Sequence, residues 1–147
     1  MLFRLAHVLA VAASLLAPAL AQAPPPVDKP FADHHLVLQL SDRAQDKQLL
    51  ALSVAYNLIK AYGPDKISLV VVAFGPGIDL LRAESANRAR VDSLISQGVE
   101  FDICMNTVDT LEREGKHVNI NPKAVRVQVG VGRILELAEK GYTVVRP

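Results

Sequence analysis

The chain has 147 residues, with 16 Lys plus Arg against 15 Asp plus Glu, a single cysteine and no tryptophan. This balance excludes the basic footprint of a nucleic-acid binder and a polybasic membrane patch, and the scarcity of aromatics argues against stacking platforms for bases or sugars. One cysteine excludes an internal disulfide, and the length suits one domain of ~100–200 residues that buries its own core without cross-links.

The first 23 residues read as a secretory signal peptide. Arg4 and His7 give a short basic start, Val8 to Leu16 an apolar stretch, and Ala19-Leu20-Ala21 and Ala21-Gln22-Ala23 the small residues of a cleavage site. Cleavage after Ala21 or Ala23 predicts a periplasmic or secreted protein with no stable membrane anchor. The apolar stretch, interrupted by Pro18, falls short of the ~20 residues of a membrane span. Residues 24–33 form a proline-rich linker, with Pro24-Pro25-Pro26 and Pro30 favouring an extended chain. Residues 34–147 are expected to form a single domain.

Within it, His35 to Leu40 predicts a first strand that turns at Ser41-Asp42-Arg43. A helix follows over about 46–61, with Leu49, Leu52, Tyr56 and Ile59 on one face and Leu50, Val54, Ala55 and Leu58 widening it. Lys66 to Phe74 is almost continuously apolar, which suits a central strand covered on both sides. Gly75-Pro76-Gly77 ends that strand, and a short helical turn over 78–81 precedes a helix over about 86–97. Val99, Phe101 and Ile103 alternate with Glu100, Asp102 and Cys104, the period of a third strand with one buried face. Asn106 or Thr107 is placed to cap a short helix that ends at Gly115. After a polar connection, Val125 to Val129 predicts a fourth strand. Gly130-Val131-Gly132 opens a helix with Val131, Ile134, Leu135 and Ala138 on one side, and Tyr142 to Arg146 is a last strand. The alternation predicts an α/β fold: a three-layer, doubly wound domain with about five mostly parallel strands.

In such sheets chemistry gathers beyond the carboxyl ends of the strands. Those ends carry Ser41, Asp42 and Arg43, then Gly75, then Cys104, Asn106 and Thr107, then Gly130. Cys104 is the one strong nucleophile among them, and the helix N-terminus after it favours a thiolate or persulfide. Against this stands a buried cysteine acting as a small apolar residue. Glu100 and Asp102 share its strand face; they would raise its pKa if they point at it, and imply a partly wet face. Arg43 either steadies an anion at this rim or is a solvated surface residue. Ser41, Asp42, Asn106 and Thr107 either contact a ligand or turn and cap the chain. Gly75 and Gly130 lie in turns that lack the full spacing of a dinucleotide or Walker loop, although Gly130, opening a helix, has scope for weak anion binding. His34, His35 and His117 lack the spacing of a metal site, and no cofactor is expected.

The ordered set of motifs resembles the DsrE/DsrF-like sulfur-relay family. The residues that carry the resemblance are Ser41-Asp42 after the first strand, Asn57-Leu58-Ile59, Val71 to Ile78, Phe101 to Thr107, Val129-Gly130-Val131, Glu136 to Tyr142 and Arg146-Pro147. The resemblance implies a persulfide carried on Cys104, taken from a sulfur donor and passed to a partner thiol. It also implies a compact homo-oligomer, a trimer or hexamer, that needs no metal or organic cofactor. The competing expectation is a non-catalytic oligomeric module that binds a small ligand or a protein, with Cys104 structural. The well-understood relatives act in the cytoplasm, so an exported member departs from their pattern.

Overall fold

The computed structural model describes residues 29–147, and the signal-peptide reading and the first half of the proline-rich linker lie outside them. Strands β1 (His34–Leu40), β2 (Ile67–Ala73), β3 (Glu100–Cys104), β4 (Val125–Val127) and β5 (Thr143–Val145) form one sheet in the order β4-β3-β2-β1-β5. All its pairings are parallel, from Leu36 opposite Thr143 at one side to Cys104 opposite Val127 at the other. Helices α1 (Gln45–Tyr62), α2 (Arg88–Ser96), α3 (Met105–Arg113) and α4 (Gly130–Glu139) connect the strands, with a 3-10 segment at Gly75–Leu81. The predicted α/β architecture is therefore present. Among the described residues no helix is long and apolar enough to cross a membrane.

The alternation of the strands sorts the core into two layers. One strand face presents Leu38, Leu40, Leu69, Val71, Phe101 and Ile103 to α1, α2, α3 and the 3-10 segment. The other presents Val37, Val70 and Val72 to Ile134 and Leu137 of α4. β2, at the centre, is buried along almost its whole length, as its apolar run predicts. The 3-10 segment lies against the end of β1 so closely that a Cβ on Gly77 would strike the Leu40 carbonyl, so glycine is required there.

Two helix readings and one strand boundary need correction. The buried stripe of α1 is Gln48, Ala51, Leu52, Ala55 and Ile59, whereas Tyr56 is exposed. In α4 the buried face is Gly130, Ile134 and Leu137; Val131, Leu135 and Ala138 face outward. Apolar residues occupy more than one face of each helix, and the neighbour decides which face is covered. β4 ends at Val127 rather than Val129, because Val129 already stands at the N-cap of α4.

Candidate functional site

The connections leaving β1, β2 and β3 run over one face of the sheet, and the one leaving β4 runs over the other. The change of face falls between β3 and β4, and such a switch opens a crevice at the carboxyl ends of the two strands. Cys104 ends β3 there, and Gly130 begins α4 directly after β4.

The Cys104 thiol lies between two helix N-termini. It is itself the N-cap residue of α3, and its Sγ accepts a hydrogen bond from the Gly130 N–H of α4 at 3.2 Å. The Gln128 carbonyl lies 3.9 Å from the sulfur on the same strand connection. Gly130 has no room for a side chain, since a Cβ would fall 3.0 Å from Cys104 Cβ and 3.1 Å from Phe74 Cβ. The missing side chain lets the helix amide reach the sulfur. Burial pushes the Cys104 thiol up, but the Gly130 N–H, the Thr107 hydroxyl and the N–H groups of Thr107 and Asn106 outweigh it, so the net shift is downward. The Thr107 hydroxyl accepts from the Gly75 N–H at 3.0 Å, which leaves its own proton free for the sulfur.

The other rim residues divide around this centre. Asn106 and Thr107 do not cap α3, as the sequence suggested; they sit within its first turn, because the helix starts at Met105. Asn106 donates its N–H to the Gln128 carbonyl at 3.1 Å, and its side-chain oxygen accepts from Gln128 Nε2 at 2.8 Å, which laces α3 to the end of β4. Arg43, Gly75, Asn106 and Thr107 line one open depression of ≈ 380 Å³ with Pro76, Ile78, Asp79, Thr110 and Leu111. Cys104 does not line it; Thr107 is common to the depression and to the sulfur. Arg43 is exposed and paired with Asp79 at 3.5 Å. Ser41 is half-buried beside Gly77. Asp42 does not cap α1; its carboxylate accepts from the Ala44 N–H at 2.9 Å and turns the chain.

The acidic residues of β3 are not at a wet surface. Asp102 is fully buried, and Arg133 of α4 donates from Nε to its Oδ2 and from Nη2 to Glu100 Oε1, each at 3.0 Å. Asp102 Oδ1 has no hydrogen-bond partner. Burial first, and the Glu100 carboxylate second, push the Asp102 carboxyl up to about 8, with Arg133 pulling against them. Arg133 and Gln128 are surroundings that the sequence pattern does not mark, and the acid pair it does mark is buried against Arg133 rather than wet. The available signal was that two acids sharing a covered strand face require a cation. Arg133, in the first turn of α4, supplies it.

His34 and His35 sit at the amino end of β1, where their rings meet Tyr62 and Tyr142. Among the described residues no group of three His, Cys, Asp or Glu is placed to hold a metal ion.

No family model matches the chain, and no curated protein matches it. The fold is similar to the solved structure of a protein of unknown function from Methanobacterium thermoautotrophicum, with a TM-score of 0.70 and 28% identity over 78% of this chain and 100% of that one.

Proposed function

We propose that the protein is a sulfur carrier that takes a sulfane sulfur onto Cys104 and passes it to a partner thiol. The supporting observation is the Gly130 N–H held 3.2 Å from Sγ at the switch between β3 and β4. A charged sulfur at that point meets donors from two helix N-termini. In the loading step the Cys104 thiolate attacks the outer sulfur of a small persulfide. A new S–S bond forms to Cys104, the donor's S–S bond breaks, and the donor leaves as a thiolate. The outgoing step repeats this on the acceptor thiolate and returns Cys104 to its starting state. Neither step needs a metal or an organic cofactor.

The resemblance to the DsrE/DsrF-like family supports the same reading and assembly as a trimer or hexamer, while export to the periplasm rests on the signal-like first 23 residues. Val129, Val131 and Leu135, exposed beside the crevice, supply an apolar surface for a second copy. Cys104 is only 6% exposed, so its sulfur is recessed, and recession protects an acidic thiol from overoxidation in an oxidising compartment.

The test is intact mass after incubation with a persulfide donor, with Cys104→Ser alongside. One or more added sulfur atoms, removed by reductant and missing in the variant, are expected. A folded, reduced protein that gains no sulfur refutes the reading. The burial of Cys104 favours one competitor, a binding module in which the cysteine is packing and the Arg43–Thr107 depression takes the ligand. In that case a neutral alkylating agent labels Cys104 only on unfolding.

A further inference from the structure

We infer that Arg133 is the positioning residue of the Cys104 thiol, pegging the first turn of α4 to β3 so that the Gly130 amide stays on the sulfur. The inference concerns the acidity of the thiol and holds for any chemistry at Cys104, sulfur transfer included.

Glu100, Asp102 and Cys104 share one face of β3, spaced ~6.6 Å apart along the strand. All three are met by the first turn of α4: Cys104 by the Gly130 N–H, Asp102 and Glu100 by the two arms of the Arg133 guanidinium. Among the described residues α4 makes no other hydrogen bond to the sheet. Its remaining contacts there are apolar, through Ile134 and Leu137. Apolar contacts are non-directional and leave a helix free to shift along a sheet. A planar fork holding two separate carboxyl groups fixes both its position and its rotation. Among the described residues of the single chain nothing covers the opposite side of the helix, where Val131 and Leu135 are exposed.

The charge state of the cluster agrees. With its carboxyl pushed up to about 8, Asp102 accepts the Nε hydrogen bond while still protonated near neutral pH, so Glu100, with the exposed Glu136 beside it, balances Arg133. Other charged or titratable groups around the cluster and the crevice are Glu136 of α4, 3.7 Å from Arg133; Asp109 of α3, 3.5 Å from Gln128 Nε2; the exposed Arg126 of β4; and Lys29, His35, Lys140 and Tyr142, which line a cavity with Glu100 and Arg133.

The test compares wild type, Arg133→Leu and Arg133→Lys by two readouts: the pH profile of Cys104 alkylation by iodoacetamide, and the Gly130 amide resonance followed through the same titration. In the wild type the Gly130 amide is expected to shift with the thiol. In Arg133→Leu the thiol should titrate about one pH unit higher, its alkylation below that pH falling about tenfold, and the Gly130 shift should uncouple from it. Arg133→Lys keeps the positive charge and loses the fork, so it should remain impaired. A folded Arg133→Leu with the wild-type profile and a coupled Gly130 shift overturns the inference. So does full restoration by lysine, which would assign the effect to charge alone. Should Arg133→Leu fail to fold, an unchanged titration in Arg133→Lys overturns it instead. Sulfur loading is judged separately by adduct mass, so the two readings fail independently.

Discussion

Replacing Gly130 by alanine tests the closest contact at the crevice. The added Cβ would lie 3.0 Å from Cys104 Cβ, 3.1 Å from Phe74 Cβ and 3.4 Å from the sulfur. Carbon atoms pack best at ~3.5–4.0 Å, so α4 must retreat by roughly 0.5–1 Å. Overpacking of this kind costs about 1–3 kcal/mol, and the gain from alanine over glycine in a helix is at most ~1 kcal/mol. The net expectation is a loss of about 1–2 kcal/mol, read as a urea midpoint lowered by roughly 0.5–1 M. The same retreat stretches the 3.2 Å hydrogen bond beyond useful length, so the thiol should titrate higher. Gly132→Ala is the control, because its Cβ meets only Val129, at 3.3 Å, and that residue is half exposed at the helix N-cap, where a shift of a few tenths of an ångström displaces nothing buried. It should be neutral or gain a few tenths to ~1 kcal/mol from helix propensity alone. Urea unfolding and thiol titration of both variants decide the matter. A Gly130→Ala protein as stable as Gly132→Ala, with the wild-type thiol titration, would refute the close-approach argument.

Thr107→Val removes the acceptor of the half-buried Gly75 N–H and a donor to the sulfur. It should cost about 1–3 kcal/mol in urea unfolding and slow alkylation of Cys104 at neutral pH. Asn121 is fully buried and holds Asp92 of α2 at 2.9 Å and the Lys123 N–H at 2.9 Å, so Asn121→Ala should cost a similar amount by the same assay. Asp102 has a carboxyl pushed up to about 8 in the folded chain against ~3.9 when unfolded. Between those values the folded chain holds a proton that the unfolded chain lacks. Its contribution to stability is therefore full below pH ~4 and is lost as pH rises through about 8. Urea midpoints measured across that range should fall more steeply for the wild type than for Asp102→Asn, and parallel curves would contradict the buried protonated acid.

Much of this arrangement is legible in the residues, because its signals are local. The apolar run of β2, the alternation of β3 and the glycine and proline breaks place each strand and order the helices between them. The position of Cys104 at the end of β3 follows from the same pattern. What the pattern could not supply is the partner of each face. Tyr56 and Leu135 are as apolar as the residues that are buried beside them in sequence, and only the strand order leaves them uncovered. Asp102 reads as a solvated position until α4 is laid across it, and the order β4-β3-β2-β1-β5 that lays it there depends on pairings distant in sequence. The start of α3 was misjudged for a different reason. Asn106 and Thr107 are good capping residues, but the chain leaves β3 already turning, and the helix begins before them.

The amide that acidifies Cys104 comes from a residue 26 positions later, on a helix that covers the opposite face from α3. A chain still lacking α4, or one in which α4 has not yet docked, is without the Gly130 donor at residue 104 and keeps only those of Asn106 and Thr107. In a nascent or misassembled molecule the thiol is thus less acidic but also less covered, and the last crossing of the sheet both adds the Gly130 donor and recesses the sulfur. The Gly130 share of this thiol's acidity reports the docking of α4, and its rate of appearance during refolding would time that arrival.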